Sequence, residues 1–218
     1  MNNTNKETIL RLLRMLGLDP GLTNTGFAVA DVDMDQRKIK RVIDLGLLKT
    51  ERNILLSVRR TSDDLRRAQE IYQALHRIAS DLKVDVIAVE MVTTTPYRRP
   101  NISFGVMIGV VAGLQLPVFE VLPYEAKAAA VGKRDATKKD MVHWALKTCG
   151  EHVTWPTSAK SNKWGLMHDG SFVTLQAEHQ ADALAMIHGA LHTEQFRLSA
   201  ALFANASVRR RRVRNRLA

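Results

Sequence analysis

Met15-Leu16-Gly17-Leu18-Asp19-Pro20-Gly21 is the stretch that decides the fold. It closes an apolar run that starts at Leu10 and carries only Arg11 and Arg14 as polar interruptions. A short apolar run delivered into a Pro-Gly turn reads as a buried strand. Thr25 to Asp31 and Arg41 to Lys49 read as a second and a third strand, spaced for consecutive antiparallel hairpins. The period then changes. After Ser62-Asp63-Asp64, the residues Leu65, Ala68, Ile71, Tyr72, Leu75, Ile78, Ala79 and Leu82 recur at threes and fours, which predicts a helix. Val84 to Glu90 is apolar and rich in β-branched residues apart from Asp85 and the closing Glu90, a strand buried on both faces, parallel to its predecessor because a helix joins them. Asn101 to Leu114 is helical in pattern, and Pro117 to Leu122 is a fifth strand. Pro123 to Val131, Thr137 to Cys149 and Glu178 to Leu198 follow as helices. The sum is an α/β fold, a mixed five-stranded sheet flanked by helices.

Glu151 to Ala177 breaks the rhythm, and a structureless loop of that length is unusual in a compact domain. His168-Asp169-Gly170-Ser171 separates Trp164–Met167 from Phe172–Leu175, which predicts a β-hairpin and hence an inserted arm. The expected organisation is an N-terminal extension over 1–12, one domain over 13–200 with its arm at 151–177, and a basic tail over 201–218.

Lys and Arg number 32 against 22 Asp and Glu, a formal net charge of +10. Six arginines, Arg209, Arg210, Arg211, Arg212, Arg214 and Arg216, fall in the last ten residues, and the remaining body is still mildly basic. Such a balance favours polyanions, with nucleic acid ahead of an anionic membrane because the body as well as the tail carries charge. The single cysteine, Cys149, excludes an intrachain disulfide and a cysteine metal site. A reducing compartment fits, the cytoplasm of a bacterium or of an infected host cell, with an organelle left open. Met1 to Leu18 is too charged for a secretory signal, and Gln115 and Pro117 interrupt the longest weakly polar stretch, so no membrane association is expected.

Three acids stand where chemistry can use them. Asp19 ends the first strand, Glu90 ends the fourth, and Asp182 sits in the last helix three residues after His179. Residues at i and i+3 share a helix face, so His179 and Asp182 can face Asp19 and Glu90 if the helix crosses the ends of neighbouring strands. Clustered carboxylates repel and call for a cation. Oxygen ligands suit Mg²⁺, an imidazole also accepts Mn²⁺, and two ions about 3.5–4 Å apart can clamp the attacking and leaving oxygens of a phosphodiester. Taken singly, Asp19 is ordinary turn chemistry, Glu90 a strand terminus, and His179 and Asp182 the wet face of a helix; Asp169 and Glu178 compete nearby. The constellation is far more specific than its parts.

Leu16-Gly17-Leu18-Asp19-Pro20-Gly21-Leu22-Thr23-Asn24-Thr25-Gly26 resembles the opening strand and turn of the RuvC Holliday junction resolvases. Ile87-Ala88-Val89-Glu90 is similar to their second acidic motif, and Ala181-Asp182-Ala183-Leu184-Ala185 to their last. Between them Pro117 to Glu120, Lys127, Val131-Gly132 and Ala136 to Lys139 match in order. The resemblance implies an RNase H-like fold and a homodimer that nicks two strands of a four-way DNA junction with Mg²⁺ or Mn²⁺. It implies metal ligation by Asp19, Glu90, His179 and Asp182, with Lys127 and Lys138 at the DNA backbone and Lys138 also supporting catalysis. In-line attack by a deprotonated water would leave 5′-phosphate and 3′-hydroxyl ends. Tyr97-Arg98-Arg99, Lys133-Arg134 and Lys139 offer further phosphate contacts. Thr93-Thr94-Thr95 occupies the stretch where several members carry an aromatic wedge, with Tyr97 a little later; this, the arm and the tail look like a bacteriophage or viral branch of the family.

Gly105, Gly109 and Gly113 recur every four residues on one helix. Each costs that helix about 1 kcal/mol relative to Ala, and together they permit either a dimer contact or close packing on the protein's own sheet. The tail should bind phosphates without sequence preference. Competing readings are a transposase catalytic domain, an RNase H proper, a non-catalytic binder of branched DNA, and an actin-like ATPase. The first and last need more length, and the intact acids speak against the binder.

Overall fold

The computed structural model describes residues 12–55, 57–91, 98–150 and 153–200, with 98–100 described by their backbone alone. Five strands form one sheet in the order β3-β2-β1-β4-β5: β1 Leu12–Asp19, β2 Asn24–Asp33, β3 Lys38–Lys49, β4 Val86–Glu90 and β5 Val118–Val121. β1, β2 and β3 are antiparallel hairpins, whereas β4 and β5 run parallel to β1, each after a helical crossover. The helices are α1 Arg60–Asp81, α2 Arg98–Gly113, α3 Pro123–Val131, α4 Lys138–Thr148 and α5 Ala177–Ala190. This is the mixed five-stranded sheet expected from the change of hydrophobic period.

Strand alternation fixes what each sheet face meets. On β1, Leu16 and Leu18 join Ile87 and Val89 of β4 in a core completed by α1 and α2. Met15, Val86 and Ala88 point the other way, into a core completed by α3, α4 and α5. By the same parity Asp19 and Glu90 belong to the α5 face. α5 comes unusually close to the sheet. A Cβ on Gly17 would lie 2.1 Å from the Ala183 carbonyl oxygen, and one on Gly26 would lie 2.0 Å from that of His179. Glycine at these two positions lets the backbone of α5 rest on β1 and β2.

Two details differ from the sequence expectation. Leu65 is 61% exposed, and the buried stripe of α1 is Asp63, Arg67, Ile71 and Leu75. The last helix does not run from Glu178 to Leu198. α5 stops at Ala190, Leu191 to Thr193 forms a turn, and Thr193 Oγ1 accepts from Phe196 N to cap a new helical stretch over 194–200. That break turns Phe196 back onto Phe119, ring centroids 5.4 Å apart.

The expected hairpin is present as β7 Met167–His168 and β8 Ser171–Val173, with β6 Thr157–Ser158 pairing on the far side of β8. Asp169 and Gly170 both have positive φ, 48° and 75°, as the tightest two-residue hairpin turn requires. The segment does not stand off the body. Val153, Trp155, Trp164 and Val173 are buried in the core that α5 completes. Among the described residues no helix is long and apolar enough to cross a membrane.

Candidate active site

Asp19 and Glu90 sit at the carboxyl ends of adjacent parallel strands, one step beyond the pair Leu18–Val89. Their parity turns both toward α5, whose first turns carry Glu178, His179 and Asp182. The ring Nδ1 of His179 is 2.7 Å from Asp19 Oδ2, a contact that joins the two ends of the domain. Lys138, the first residue of α4, places Nζ 2.8 Å from Glu178 Oε1, and that same carboxylate oxygen is 3.9 Å from His179 Nε2. α4 begins there because Thr137 and Asp140 form a reciprocal capping box.

The electrostatics record how crowded the acids are. Burial first, and then Asp19, Glu178 and Glu90, push the Asp182 carboxyl up to about 7, with Lys138 opposing them. Glu90 is also raised, by burial first and by Asp19 second, with Lys127 pulling the other way. His179 is raised by its hydrogen bond to Asp19 against the cost of burial. The Lys138 ammonium is raised mainly by Glu178. Carboxylates from three separate elements therefore feel one another across one small region.

Among the described residues no three acidic or imidazole side chains already converge closely enough to hold an ion. The donor set nonetheless fits one. Buried acids that hold each other partly protonated are relieved by a divalent cation, and carboxylates with one imidazole suit Mg²⁺ or Mn²⁺.

The structure thus brings together Asp19, Glu90, His179, Asp182 and Lys138, with Lys127 close enough to act on Glu90. Lys133, Arg134 and Lys139 stand exposed at the corner between α3 and α4. Lys133 and Lys139 act on Asp140, and the Arg134 guanidinium lies 5.2 Å from the Tyr124 ring centroid. Tyr97, the side chains of Arg98 and Arg99, Thr93 to Thr95 and the arginine tail lie outside the described residues. Of the two competing acids, Glu178 belongs to the cluster, whereas Asp169 sits in the hairpin turn beside His168.

Sequence reasoning missed Arg67. Its side chain is buried on α1 and donates to Leu22 O at 3.0 Å, Thr23 Oγ1 at 2.8 Å and Thr50 Oγ1 at 2.8 Å. Thr25 Oγ1 donates to Gly21 O, and Thr50 Oγ1 to Leu22 O. These bonds clamp the turn that follows Asp19. The signal was available, since Arg67 lies four residues before Ile71 and eight before Leu75, on the apolar stripe itself.

Strand order, strand directions and the helix across the sheet define the RNase H-like class. Two solved structures share that architecture at low identity. Thermus thermophilus RuvC in complex with a Holliday junction substrate superposes with a TM-score of 0.58 at 19% identity, covering 86% of this chain and 97% of that one. The yeast mitochondrial Holliday junction resolvase Ydc2 gives 0.53 at 18% identity, covering 88% and 82%. The family model described as crossover junction endodeoxyribonuclease RuvC matches residues 15–149, and the chain belongs to that family. Among curated relatives, the RuvC of Synechococcus sp. is 30% identical over 59% of this chain and 79% of its own length. The RuvC of Burkholderia orbicola is 32% identical over 64% and 74%. For other relatives, such as that of Chlorobium phaeovibrioides, the chain spans 64% of their length. The family match ends before the inserted segment and α5, so His179 and Asp182 rest on the geometry given above.

Proposed function

We propose that this protein is a structure-selective endodeoxyribonuclease that resolves four-way or other branched DNA by symmetric phosphodiester hydrolysis. The observation that carries the reading is the meeting of Asp19, Glu90 and Asp182, from two strands and a helix, in one region where burial and then the neighbouring acids push the Asp182 carboxyl up to about 7. Carboxylates perturbed by burial and by one another in this way are candidates for a functional site. Asp19, Glu90, Asp182 and His179 would hold the metal, Mg²⁺ with Mn²⁺ able to substitute and two ions per site, which when bound activates water and offsets charge on the phosphate.

The chain's own groups supply the rest. The new bond forms between a water oxygen and phosphorus, the bond to the 3′ oxygen breaks, and the products carry 5′-phosphate and 3′-hydroxyl ends. Lys138 is tethered to Glu178 beside the acids, so its ammonium can turn to the phosphate or the leaving oxygen while remaining protonated. Lys127 contributes positive charge on the Glu90 side. Lys133, Arg134 and Lys139 extend a basic surface along the α3–α4 corner suited to backbone phosphates, and Tyr97, Arg98 and Arg99 are assigned the same role on sequence grounds.

A homodimer fits the outer face of α2. Gly105 and Gly109 have nothing within 4 Å of where a Cβ would stand, so the protein's own sheet does not explain them. Ile102 and Ile108 lie exposed beside them. Gly113 differs, because it packs on the Tyr72 ring. Two copies joined across this face would present two identical centres to two like strands of a junction.

The deciding experiment incubates the protein and Asp19→Asn with labelled four-way junction, linear duplex and RNA–DNA hybrid, in Mg²⁺, Mn²⁺ or EDTA. The expected result is paired nicks in the junction alone, lost in EDTA and in the variant. Cutting of the hybrid alone would assign an RNase H activity instead, and junction binding without cutting in either metal would overturn the nuclease reading.

A further inference from the structure

A groove of about 740 Å³ opens beside His179. Its walls are the turn after Asp19, the chain just past β3, the start of α1, and Ser103 and Phe104 of α2. We infer that this groove is a nucleobase subsite, which takes the base of a nucleotide adjoining the cleaved phosphate and sets the cleavage-sequence preference. The inference rests on the nuclease reading above and deepens it.

Position comes first. His179 is both a wall of the groove and the partner of Asp19, so a phosphate held over the acids puts its neighbouring nucleotide at the groove mouth. The size is that of a pocket for a small molecule, roughly 300–1,000 Å³, ample for one nucleotide.

Charge then separates base from phosphate. The lining holds two carboxylates, Glu51 and Asp64, against two guanidinium groups, Arg52 and Arg67. Arg67 is 4% exposed, and its donors are taken by Leu22, Thr23 and Thr50, with Asp64 at 3.6 Å. A phosphate site needs surplus cation, whereas this lining balances two carboxylates against two guanidinium groups and its buried Arg67 is already engaged. A base needs a flat apolar face and a polar group that can both donate and accept. Phe104 supplies the face; its ring also lines the apolar slot on the other side, next to Glu90 and Pro20. Asn24 supplies the edge. It opens β2, lines the groove, and among the described residues its side-chain amide has no hydrogen-bond partner. An amide carries two donors and an acceptor, enough to tell one base edge from another. The clamp on the turn from Gly21 to Thr23 keeps that amide in place.

The test uses four-way junctions that differ only in the base on either side of the cleaved phosphate, with an abasic residue as a fifth choice. The wild type should favour one base by about fivefold or more and cut the abasic junction as slowly as its least favoured base. Asn24→Ala should flatten the preference to within about twofold, and the isosteric Asn24→Asp, which loses the donors, should move it to a different base. Phe104→Ala should erase the difference between abasic and intact junctions. A preference that survives both Asn24 substitutions, or a wild type indifferent to the abasic residue, overturns the subsite while leaving the nuclease reading intact. A wild type that cuts no junction overturns both.

Discussion

At the scale of the residue, Asp182 is the most informative side chain. Its folded-state carboxyl titrates near 7, well above the 3.8 of a free aspartate, because α5 buries it among other acids. The sign follows from linkage. Below the unfolded value the group is protonated in both states and costs nothing. As pH rises from there through the folded value, the folded protein must ionise a group the unfolded chain ionises freely, and stability is lost. Asp182→Asn, measured by thermal unfolding in EDTA, should therefore raise the melting temperature at pH 8 by several degrees and leave it unchanged near pH 3. Equal stabilisation at both pH values would mean that charge is not the cause. Cys149 shows the contrasting case: burial alone pushes its thiol up to about 12, which makes it an inert part of the core. Asp19, Glu90, His179 and Asp182 could be picked out in the chain because each stands at an element end or at helical spacing, where few other acids compete. Glu178 had no such distinction, since only the start of α4 beside it gives it a partner. Arg67 was passed over because a charged side chain on a helix is ordinarily assigned to water, and two of its acceptors, on Leu22 and Thr23, come from a turn some 45 residues earlier in the chain.

At the scale of the element, the contact between α5 and the sheet sets the geometry of the site. Gly17→Ala would drive a methyl into the Ala183 carbonyl, which is helix backbone and cannot rotate away. The variant should lose about 1–3 kcal/mol in denaturant unfolding and lose junction cutting more than junction binding, because α5 carries His179 and Asp182 outward with it. Retention of full cutting would show that the close approach is not needed. Most elements were legible because their hydrophobic periods are clean: all five strands and the first four helices appear where the period predicts them. The exceptions share a physical origin. α5 is buried nearly all round, so its end leaves no break in the hydrophobic pattern; the cap by Thr193 ends it, and short-range hydrogen bonds outweigh periodicity there. Leu65 faces out because the buried places in that turn of α1 are taken by Asp63 and Arg67, whose hydrogen bonds tie the helix to the segments after β1 and β3.

At the scale of the whole molecule, the inserted segment and the outer face of α2 separate structure from assembly. The insert was expected as a hairpin arm; the hairpin is present, Trp155 and Trp164 bury its base in the main core, and Gln180 of α5 donates to Thr154 O. Trp164→Ala should cost about 3–5 kcal/mol, seen as one cooperative transition at lower denaturant rather than as a separate early one. An early, independent transition would mark the insert as an autonomous unit. Gly109→Gln tests the other surface. A single chain has room for the side chain and gains a better helix former, so the stability of the separated chain should rise by up to about 1 kcal/mol. Sedimentation should show the proposed dimer weakened; an unchanged dimer would place the interface elsewhere.

The contact between Asp19 and His179 spans 160 positions of the chain. Synthesis runs from the N-terminus, so the ribosome releases the sheet with its first two acids long before the helix that completes the centre. A nascent or prematurely terminated chain lacking α5 has neither His179 nor Asp182, and its Gly17 and Gly26 face solvent where a helix should lie. On the proposed nuclease reading, a cell making this protein would be shielded from its unfinished copies, because the centre is complete only when the body of the domain is.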